Sequence, residues 1–246
     1  MIEKNTPAFR RITWAMSFAA VVVFACLHAL QPLLPELSRT FALSELQTSW
    51  TYAIGTLSLG VSLLFYGALS DAFGRRELLI WTLIGMTACT FALTQVDSYG
   101  ELLFWRALQG FCLGGLPAIA IAYLGEELSR PAMLSAVASY ISASSLGGIL
   151  GRLLAGFFAE LGHWPWAFWP LFIASLLLSI LVLRYLPRSQ HFEAKPFSWR
   201  VAAANNWFHL RQPVLLTTFL IGGLNFFIYV NQYTYMSFVL AAEPFN

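Results

Sequence analysis

The sequence predicts an all-α integral membrane protein, because it is strongly apolar, sparsely charged and divided into long uncharged segments. Of its 246 residues, 58% are hydrophobic and only 11% are charged, whereas a typical soluble domain is about 25% charged. A helix that spans a membrane needs ~20 mostly apolar residues. Cutting the chain at every Asp, Glu, Lys and Arg leaves seven windows of 19 or more residues, and each predicts one span: 12–35, 46–70, 78–96, 107–125, 131–151, 161–183 and 212–242.

The same composition excludes two broad classes of protein. There are too few charged side chains to cover the surface of a soluble enzyme, and the net charge of +2 is too small for a protein that binds nucleic acid. The three cysteines all lie in predicted spans, where an odd number of thiols argues against a disulfide framework. We expect a lipid bilayer around this chain, and no enzymatic activity, cofactor or metal.

The distribution of basic residues predicts that the N-terminus lies in the cytoplasm. We expect the membrane to be the inner (plasma) membrane of a bacterium. With that orientation only Arg39 falls outside, in agreement with the positive-inside rule. Tryptophan and tyrosine cluster near the predicted outer ends, which is typical of membrane interfaces. The eleven basic residues on the cytoplasmic side are Lys4, Arg10, Arg11, Arg75, Arg76, Arg130, Arg184, Arg188, Lys195, Arg200 and Arg211.

The spacing of the windows divides the chain into three parts. Residues 1–186 hold six spans with short loops, residues 187–212 form a longer cytoplasmic linker, and residues 213–246 hold the seventh span. The linker pattern predicts an amphipathic helix on the membrane surface, with a plain connection as the alternative. A single span after such a linker is expected to be the first span of a truncated second half. The linker residues at helical spacing are Phe197, Val201, Ala204 and Phe208.

The loop between spans two and three carries a specific motif. Residues 67–76 read Gly-Ala-Leu-Ser-Asp-Ala-Phe-Gly-Arg-Arg. This string resembles the signature of the major facilitator superfamily, Gly-x-x-x-Asp-x-x-Gly-Arg-Arg/Lys, at every position. Gly67 would allow a close approach of helices and Gly74 a tight turn, while Arg75 and Arg76 would hold the loop in the cytoplasm.

The resemblance implies a fold and a mechanism. Members of the family have twelve spans in two halves around a central cavity, and each half holds two inverted three-helix repeats. This chain would be the N-terminal six-helix bundle of that fold plus a seventh transmembrane helix, and it would need a second six-span half. Asp71 would sit against the start of a helix in that half, where a carboxylate favours the positive dipole end, and would help lock the outward-facing state.

Two further segments resemble motifs of the same family. Span four contains the string Arg106-Ala-Leu-Gln109-Gly110, which resembles Arg-x-x-Gln-Gly, and span five resembles the antiporter motif Gly-x-x-x-Gly-Pro-x-x-Gly-Gly. Arg152 stands where that motif has proline, which is a departure from the antiporter pattern. Both segments contain small residues that suit close helix packing, namely Gly110, Gly114, Gly147, Gly151 and Gly156.

Polar side chains within the spans mark candidate substrate and proton pathways, because a charge inside a bilayer is expensive. Arg106, with Gln109, and Arg152 have no carboxylate at comparable depth, which favours an anionic, polar or amphipathic substrate, or acids in the second half. In span one, His28 could exchange protons beside Gln31; a neutral packing histidine is the alternative.

Span seven carries the last candidates. Three polar side chains lie at i, i+4 and i+7 and therefore share one face of the helix, namely Asn225, Tyr229 and Gln232. A polar face on a span favours contact with a cavity, and hydrogen bonding between helices is the alternative.

The leading hypothesis is a secondary active transporter that moves a small solute by alternating access, coupled to protons and working as an efflux antiporter. The sequence holds no nucleotide-binding loop, so a gradient would supply the energy. The alternatives are a transport-inactive membrane fragment and a membrane-embedded redox or enzyme subunit. Of the four histidines only His28 lies in a span, so a bis-histidine haem cannot form within the chain.

Overall fold

The computed structural model describes residues 1–187 and 198–240, and its long elements in these ranges are all helices. Single 3-10 turns occupy Gln31–Leu33, Leu93–Gln95 and Trp164–Ala167. The α-helices of the described ranges are α1 (Pro7–His28), α2 (Leu34–Thr40), α3 (Glu45–Phe73), α4 (Arg75–Ala92), α5 (Tyr99–Leu113), α6 (Gly115–Glu127), α7 (Arg130–Glu160), α8 (Phe168–Tyr185), α9 (Trp199–Leu210) and α10 (Pro213–Leu240).

Seven helical segments of the described chain are long and apolar enough to cross a membrane, which confirms the predicted number of spans. Spans one and four each contain two α-helices in succession. In chain order, spans one to seven are Pro7–Thr40, Glu45–Phe73, Arg75–Gln95, Tyr99–Glu127, Arg130–Glu160, Trp164–Tyr185 and Pro213–Met236.

Local capping explains where several spans begin and end. The Ser44 hydroxyl accepts the backbone N–H of Gln47, and the Gln47 side-chain oxygen accepts the Ser44 N–H at 3.0 Å, which forms a reciprocal capping box. Ser98 begins α5 by accepting the N–H of Glu101 at 3.3 Å. Gly74 lies between α3 and α4 with a φ of 100°, which glycine adopts without a steric penalty. Spans two and three therefore reverse direction at a single residue.

Two prolines account for the breaks inside spans one and four. Pro32 and Pro117 have no N–H to donate to the carbonyls of His28 and Leu113, four residues earlier. Accordingly, α1 ends at His28, and α5 ends at Leu113, one residue before the break at Gly114. Each break leaves backbone carbonyls inside a span without partners in their own helix.

The contacts among the first six spans reveal a two-fold repeat within the compact unit Met1–Lys195. Among pairs of single helices, the most extensive contacts join α1 with α7, α3 with α5, and α4 with α8. These pairs belong to spans one and five, spans two and four, and spans three and six. If spans one, two and three are exchanged for spans four, five and six, the pair one and five becomes the pair four and two. The pair three and six becomes itself. Two three-helix repeats produce this symmetry, so the predicted six-helix bundle is confirmed.

Glycines let two of these pairs pack backbone against backbone. A Cβ added to Gly110 in span four would overlap the backbone of Gly55 in span two. A Cβ on Gly151 in span five would overlap the backbone of Ala25 in span one, and one on Gly147 would meet span one in the same way. These positions admit only a hydrogen atom at the observed helix separation.

Three other glycines from the sequence patterns are placed differently. At Gly114 an added Cβ would overlap the Ser62 hydroxyl and would lie 3.1 Å from the Leu59 carbonyl oxygen, so the closest group there is a side chain. At Gly156 the nearest atom to an added Cβ would be the Pro32 Cβ at 3.8 Å, an ordinary contact. At Gly67 such a Cβ would meet nothing within 4 Å among the described residues, so the close approach expected there stays a prediction.

The second compact unit, Pro196–Asn246, contains α9 and α10 in its described part. A helix therefore lies in the linker, where one was predicted, and Phe197 lies outside the described residues. Val201, Trp207 and Phe208 are exposed, and Trp207 lies roughly 120° around the helix from Val201. Apolar side chains are thus not confined to one face, and the placement of α9 on a membrane surface stays a prediction.

We expect Gly151→Ala to destabilise the 246-residue chain relative to Gly156→Ala. At residue 151 the new methyl group meets the backbone of Ala25, which cannot rotate away, whereas residue 156 has ordinary space. Overpacking of this kind costs about 1–3 kcal/mol, and the gain in helix propensity is common to both variants. Thermal unfolding in one detergent measures the difference, and equal melting temperatures would contradict the packing argument.

Candidate functional site

Arg75 organises the loop motif between spans two and three. Its Nη2 lies 2.7 Å from Asp71 Oδ1 and 2.8 Å from Glu126 Oε1, and its Nε donates to Glu126 at 2.9 Å. Its Nη1 donates to the Ser70 hydroxyl at 2.5 Å. Because Asp71 belongs to span two and Glu126 to span four, one guanidinium ties together the ends of spans two, three and four.

Arg76 connects the same end of the bundle to span six. Its Nε donates to the Leu186 carbonyl at 2.6 Å and its Nη2 to the Leu183 carbonyl at 2.8 Å. The Tyr123 hydroxyl donates to the Pro187 carbonyl at 3.0 Å. These carbonyls lie at the end of α8, where a helix has no backbone donors left for them. The second arginine of the motif therefore caps a helix.

The segment before span one joins this end as well. The backbone N–H of Ile2 donates to the Glu127 carbonyl at 2.8 Å, and the N–H of Ser129 donates to the Ile2 carbonyl at 3.0 Å. The Ser129 hydroxyl donates to the Glu3 carboxylate at 2.9 Å. The turn between spans four and five is thereby held against the chain that leads into span one.

Arg106 is fully buried, at 0% exposure, inside the bundle. Its Nη1 donates to Gln109 Oε1 at 2.5 Å and to the Cys26 carbonyl at 3.3 Å, and its Nη2 donates to the Leu27 carbonyl at 3.4 Å. Gln109 Nε2 then donates to the Thr90 hydroxyl at 2.8 Å. One hydrogen-bond network therefore joins spans one, three and four.

The surroundings of Arg106 explain how a guanidinium is accommodated there. The Cys26 and Leu27 carbonyls are available because α1 ends at His28. A Cβ at Gly55 in span two would lie 3.1 Å from Arg106 Nη2, so glycine leaves room for the group. Protein groups thus accept hydrogen bonds from both terminal nitrogens of Arg106, as a buried charge requires. Its Nε is buried and has no acceptor among the described residues.

The other candidates of spans one and five meet in a polar cluster formed by His28, Gln31, Tyr52 and Arg152. The Tyr52 hydroxyl lies 3.0 Å from His28 Nδ1, and Arg152 Nε donates to Gln31 Oε1 at 2.7 Å. A Cβ on Gly148 would lie 3.1 Å from His28 Cδ2 and 3.3 Å from Arg152 Nη1, so the two pairs adjoin. The structure brings three predicted residues together and adds Tyr52.

The polar cluster extends from the bundle interior to its surface. His28, Gln31 and Tyr52 are buried, and Arg152 is half-buried and also donates to the Gly148 carbonyl at 2.9 Å. The Gln31 side chain is only 1% exposed, yet its Nε2 has no acceptor among the described residues. The cluster therefore brings hydrogen-bond donors and acceptors of spans one, two and five together.

The candidates of span seven belong to the second unit. Asn225, Tyr229 and Gln232 are exposed on α10; Asn225 Nδ2 donates to the Ile221 carbonyl at 3.1 Å. Their contact with a cavity stays a prediction. Within residues 1–187 and 198–240, the structure contains no group of three or more His, Cys, Asp or Glu side chains placed to hold a metal ion.

Sequence reasoning did not single out Tyr52, Thr90 or Glu126, although each completes one of these networks. Glu126 lies 51 residues from Arg75, and Thr90 lies 19 residues from Gln109, so no local spacing relates them. An acidic pair at residues 126–127, near a predicted cytoplasmic end, was the available signal for Glu126. Tyr52 had no comparable signal, because aromatic residues are frequent throughout this chain.

A bundle of two three-helix repeats with charged and polar networks inside its spans defines a helical membrane-transport fold. The family model described as Major Facilitator Superfamily matches residues 16–245. This chain therefore belongs to the Major Facilitator Superfamily, and the resemblance carried by the loop motif is confirmed.

Individual relatives agree with this assignment. The chain is 34% identical over 245 residues to the uncharacterized MFS-type transporter YybF of Bacillus subtilis and 33% identical over 245 residues to the inner membrane transport protein YnfM of Escherichia coli. Both matches cover 100% of this chain, but only 61% and 59% of the relatives. A bacterial homolog of the human lysosomal transporter Spinster, in an inward-facing and unoccupied conformation, shares the fold with a TM-score of 0.75 at 14% identity, over 96% of this chain and 56% of that one.

We expect Thr90→Val to lower the free energy of unfolding of the chain by about 1–3 kcal/mol. The substitution keeps the shape of the side chain and leaves the buried Gln109 amide without its acceptor. Thr217→Val is the matched control, because Thr217 is exposed and its hydroxyl donates only to the Pro213 carbonyl of its own helix. Thermal unfolding in detergent would refute the role of the network if both variants changed by the same amount.

Proposed function

We propose that this protein is a secondary active transporter that moves a small solute across the membrane by alternating access. The polar cluster is the observation that carries the proposal, because buried donors and an imidazole inside lipid-spanning helices require a function that offsets their cost. Membership of the Major Facilitator Superfamily supports it. The cluster would contribute to the substrate and proton pathway, and the loop motif would control which side of the membrane it faces.

We place the N-terminus in the cytoplasm and the protein in the inner membrane of a bacterium. The positive-inside count of Lys and Arg supports the orientation. The printed name of the relative YnfM, an inner membrane transport protein, supports the membrane. With this orientation, Arg75, Arg76 and Glu126 lie at the cytoplasmic end of the bundle.

Proton coupling would use His28. Its imidazole faces the Tyr52 hydroxyl through Nδ1 and adjoins the Arg152 guanidinium across Gly148, while Arg106 donates to the neighbouring Leu27 carbonyl. Protonation of His28 would change its hydrogen bond to Tyr52 and the charge beside Arg152. Exchange of a proton for the solute in this cluster would produce efflux driven by the proton gradient.

The complete cavity would need a second six-span half. This chain spans about 60% of the length of YybF and YnfM, and the described polar cluster draws on spans one, two and five alone. Asn225, Tyr229 and Gln232 of span seven stay candidates for the substrate pathway. We propose that the 246-residue chain by itself does not transport, and that the whole gene product does.

The test is solute flux into proteoliposomes that contain the whole gene product, with and without an imposed proton gradient. The panel contains carboxylates, neutral polar solutes and lipophilic cations. Flux of at least one class that depends on the gradient supports the proposal. No flux for any class, from protein that is folded and correctly inserted, would favour the transport-inactive alternative.

In the same assay we expect Asp71→Asn to lower the initial rate while expression and melting temperature stay close to those of the unmodified protein. The substitution removes one of the two carboxylates that hold Arg75, and a loss of ~1.4 kcal/mol from one conformational state changes its population about ten-fold. Asp97→Asn, in an exposed turn, is the matched control. Unchanged flux in the Asp71 variant would contradict the locking role.

A further inference from the structure

We propose that Gln31 and Arg152 form a carboxylate-binding subsite in the substrate pathway. This inference rests on the proposed transport function and names the chemical class of the solute. It is carried by an unsatisfied donor, by a guanidinium beside it, and by the packing that holds the two together.

The Gln31 amide is oriented by Arg152. Arg152 Nε donates to Gln31 Oε1 at 2.7 Å. Because the side-chain oxygen is turned towards Arg152, the amide Nε2 points away from it. That Nε2 has no acceptor among the described residues, although the side chain is 1% exposed. A buried donor without an acceptor is costly, so an acceptor supplied by a ligand would be bound favourably there.

The chemistry of the polar cluster selects the kind of acceptor. Gln31 offers N–H donors, Arg152 adds a positive charge, and the Tyr52 hydroxyl and His28 ring lie on the adjoining side. A carboxylate brings several acceptor sites and a negative charge, and its hydrogen bonds to a guanidinium are stronger than those of a neutral oxygen. A neutral amide or alcohol would satisfy Gln31 but would gain nothing from the charge.

The subsite is built by packing rather than by flexible surface residues. Gly148 allows the His28 ring and the Arg152 guanidinium to approach, since a Cβ there would lie 3.1 Å from one and 3.3 Å from the other. Arg152 also donates to the Gly148 carbonyl at 2.9 Å, which fixes the guanidinium on span five. Arg152 is half-buried, so the subsite can be reached from the bundle surface.

The test compares acids with their neutral amides on the whole gene product in detergent. The probes are benzoate against benzamide and succinate against succinamide, and binding is measured from the rise in melting temperature with ligand concentration. The variants are Arg152→Gln and Gln31→Glu, in which the new carboxylate would occupy the subsite itself. Arg39→Gln is the matched control, because it removes one positive charge from an exposed position.

We expect at least one acid to bind the unmodified protein and the Arg39 variant more tightly than its amide does. In the Arg152 and Gln31 variants, acid binding should weaken about ten- to hundred-fold. Amide binding should not change in the Arg152 variant, because that substitution removes only the charge. Equal binding of acids and amides would overturn the proposal, and so would acid binding that is unchanged in both variants. Either result would indicate that a water molecule, rather than a carboxylate, accepts the hydrogen bond of Gln31 Nε2. A lower melting temperature of the Arg152 variant without a change in acid preference would overturn it in favour of a structural role.

Flux measurements separate this inference from the transport proposal. Acid-selective binding without any gradient-driven flux would contradict the transport function and support the subsite. Flux that is equally fast for acids and amides and unaffected by Arg152→Gln would contradict the subsite and support the transport function.

Discussion

The buried guanidinium of Arg106 is the contact on which the arrangement of spans one to four depends. A charge with no exposure must be satisfied by protein groups, and here the Cys26 and Leu27 carbonyls and Gln109 accept its hydrogen bonds. The two carbonyls lie in the last turn of α1, just before the break in span one, and the guanidinium fits because position 55 is glycine. The helix end, the glycine and the arginine therefore meet at one point.

The same break in span one also creates the polar cluster. His28 is the last residue of α1, and Gln31 begins the 3-10 turn that follows it. Span five reaches this point because Gly147 and Gly151 let it pack against the backbone of span one, and Arg152 is the next residue along. The packing of the repeat and the assembly of the cluster are thus one set of contacts, so a change in either alters the other.

Parts of the candidate site could be predicted and parts could not. The motif at residues 67–76 singled out Asp71 and Arg75 because both lie in one short string, and the structure joins them at 2.7 Å. Glu126, which completes the bridge, lies on another span and has no fixed spacing to the motif. Arg106 and Arg152 looked alike as charges within spans, yet one lies wholly inside the bundle and the other is half-buried.

The sequence by itself determined the number of spans and the tight turn at Gly74. These features are local, because each helix in a membrane must satisfy its own backbone hydrogen bonds and glycine acts on its own turn. Only the tertiary structure decided that Gln31 meets Arg152, that His28 meets Tyr52 and that Gln109 meets Thr90. Those pairings depend on which helix faces touch, and that depends on shape complementarity between residues far apart in the chain.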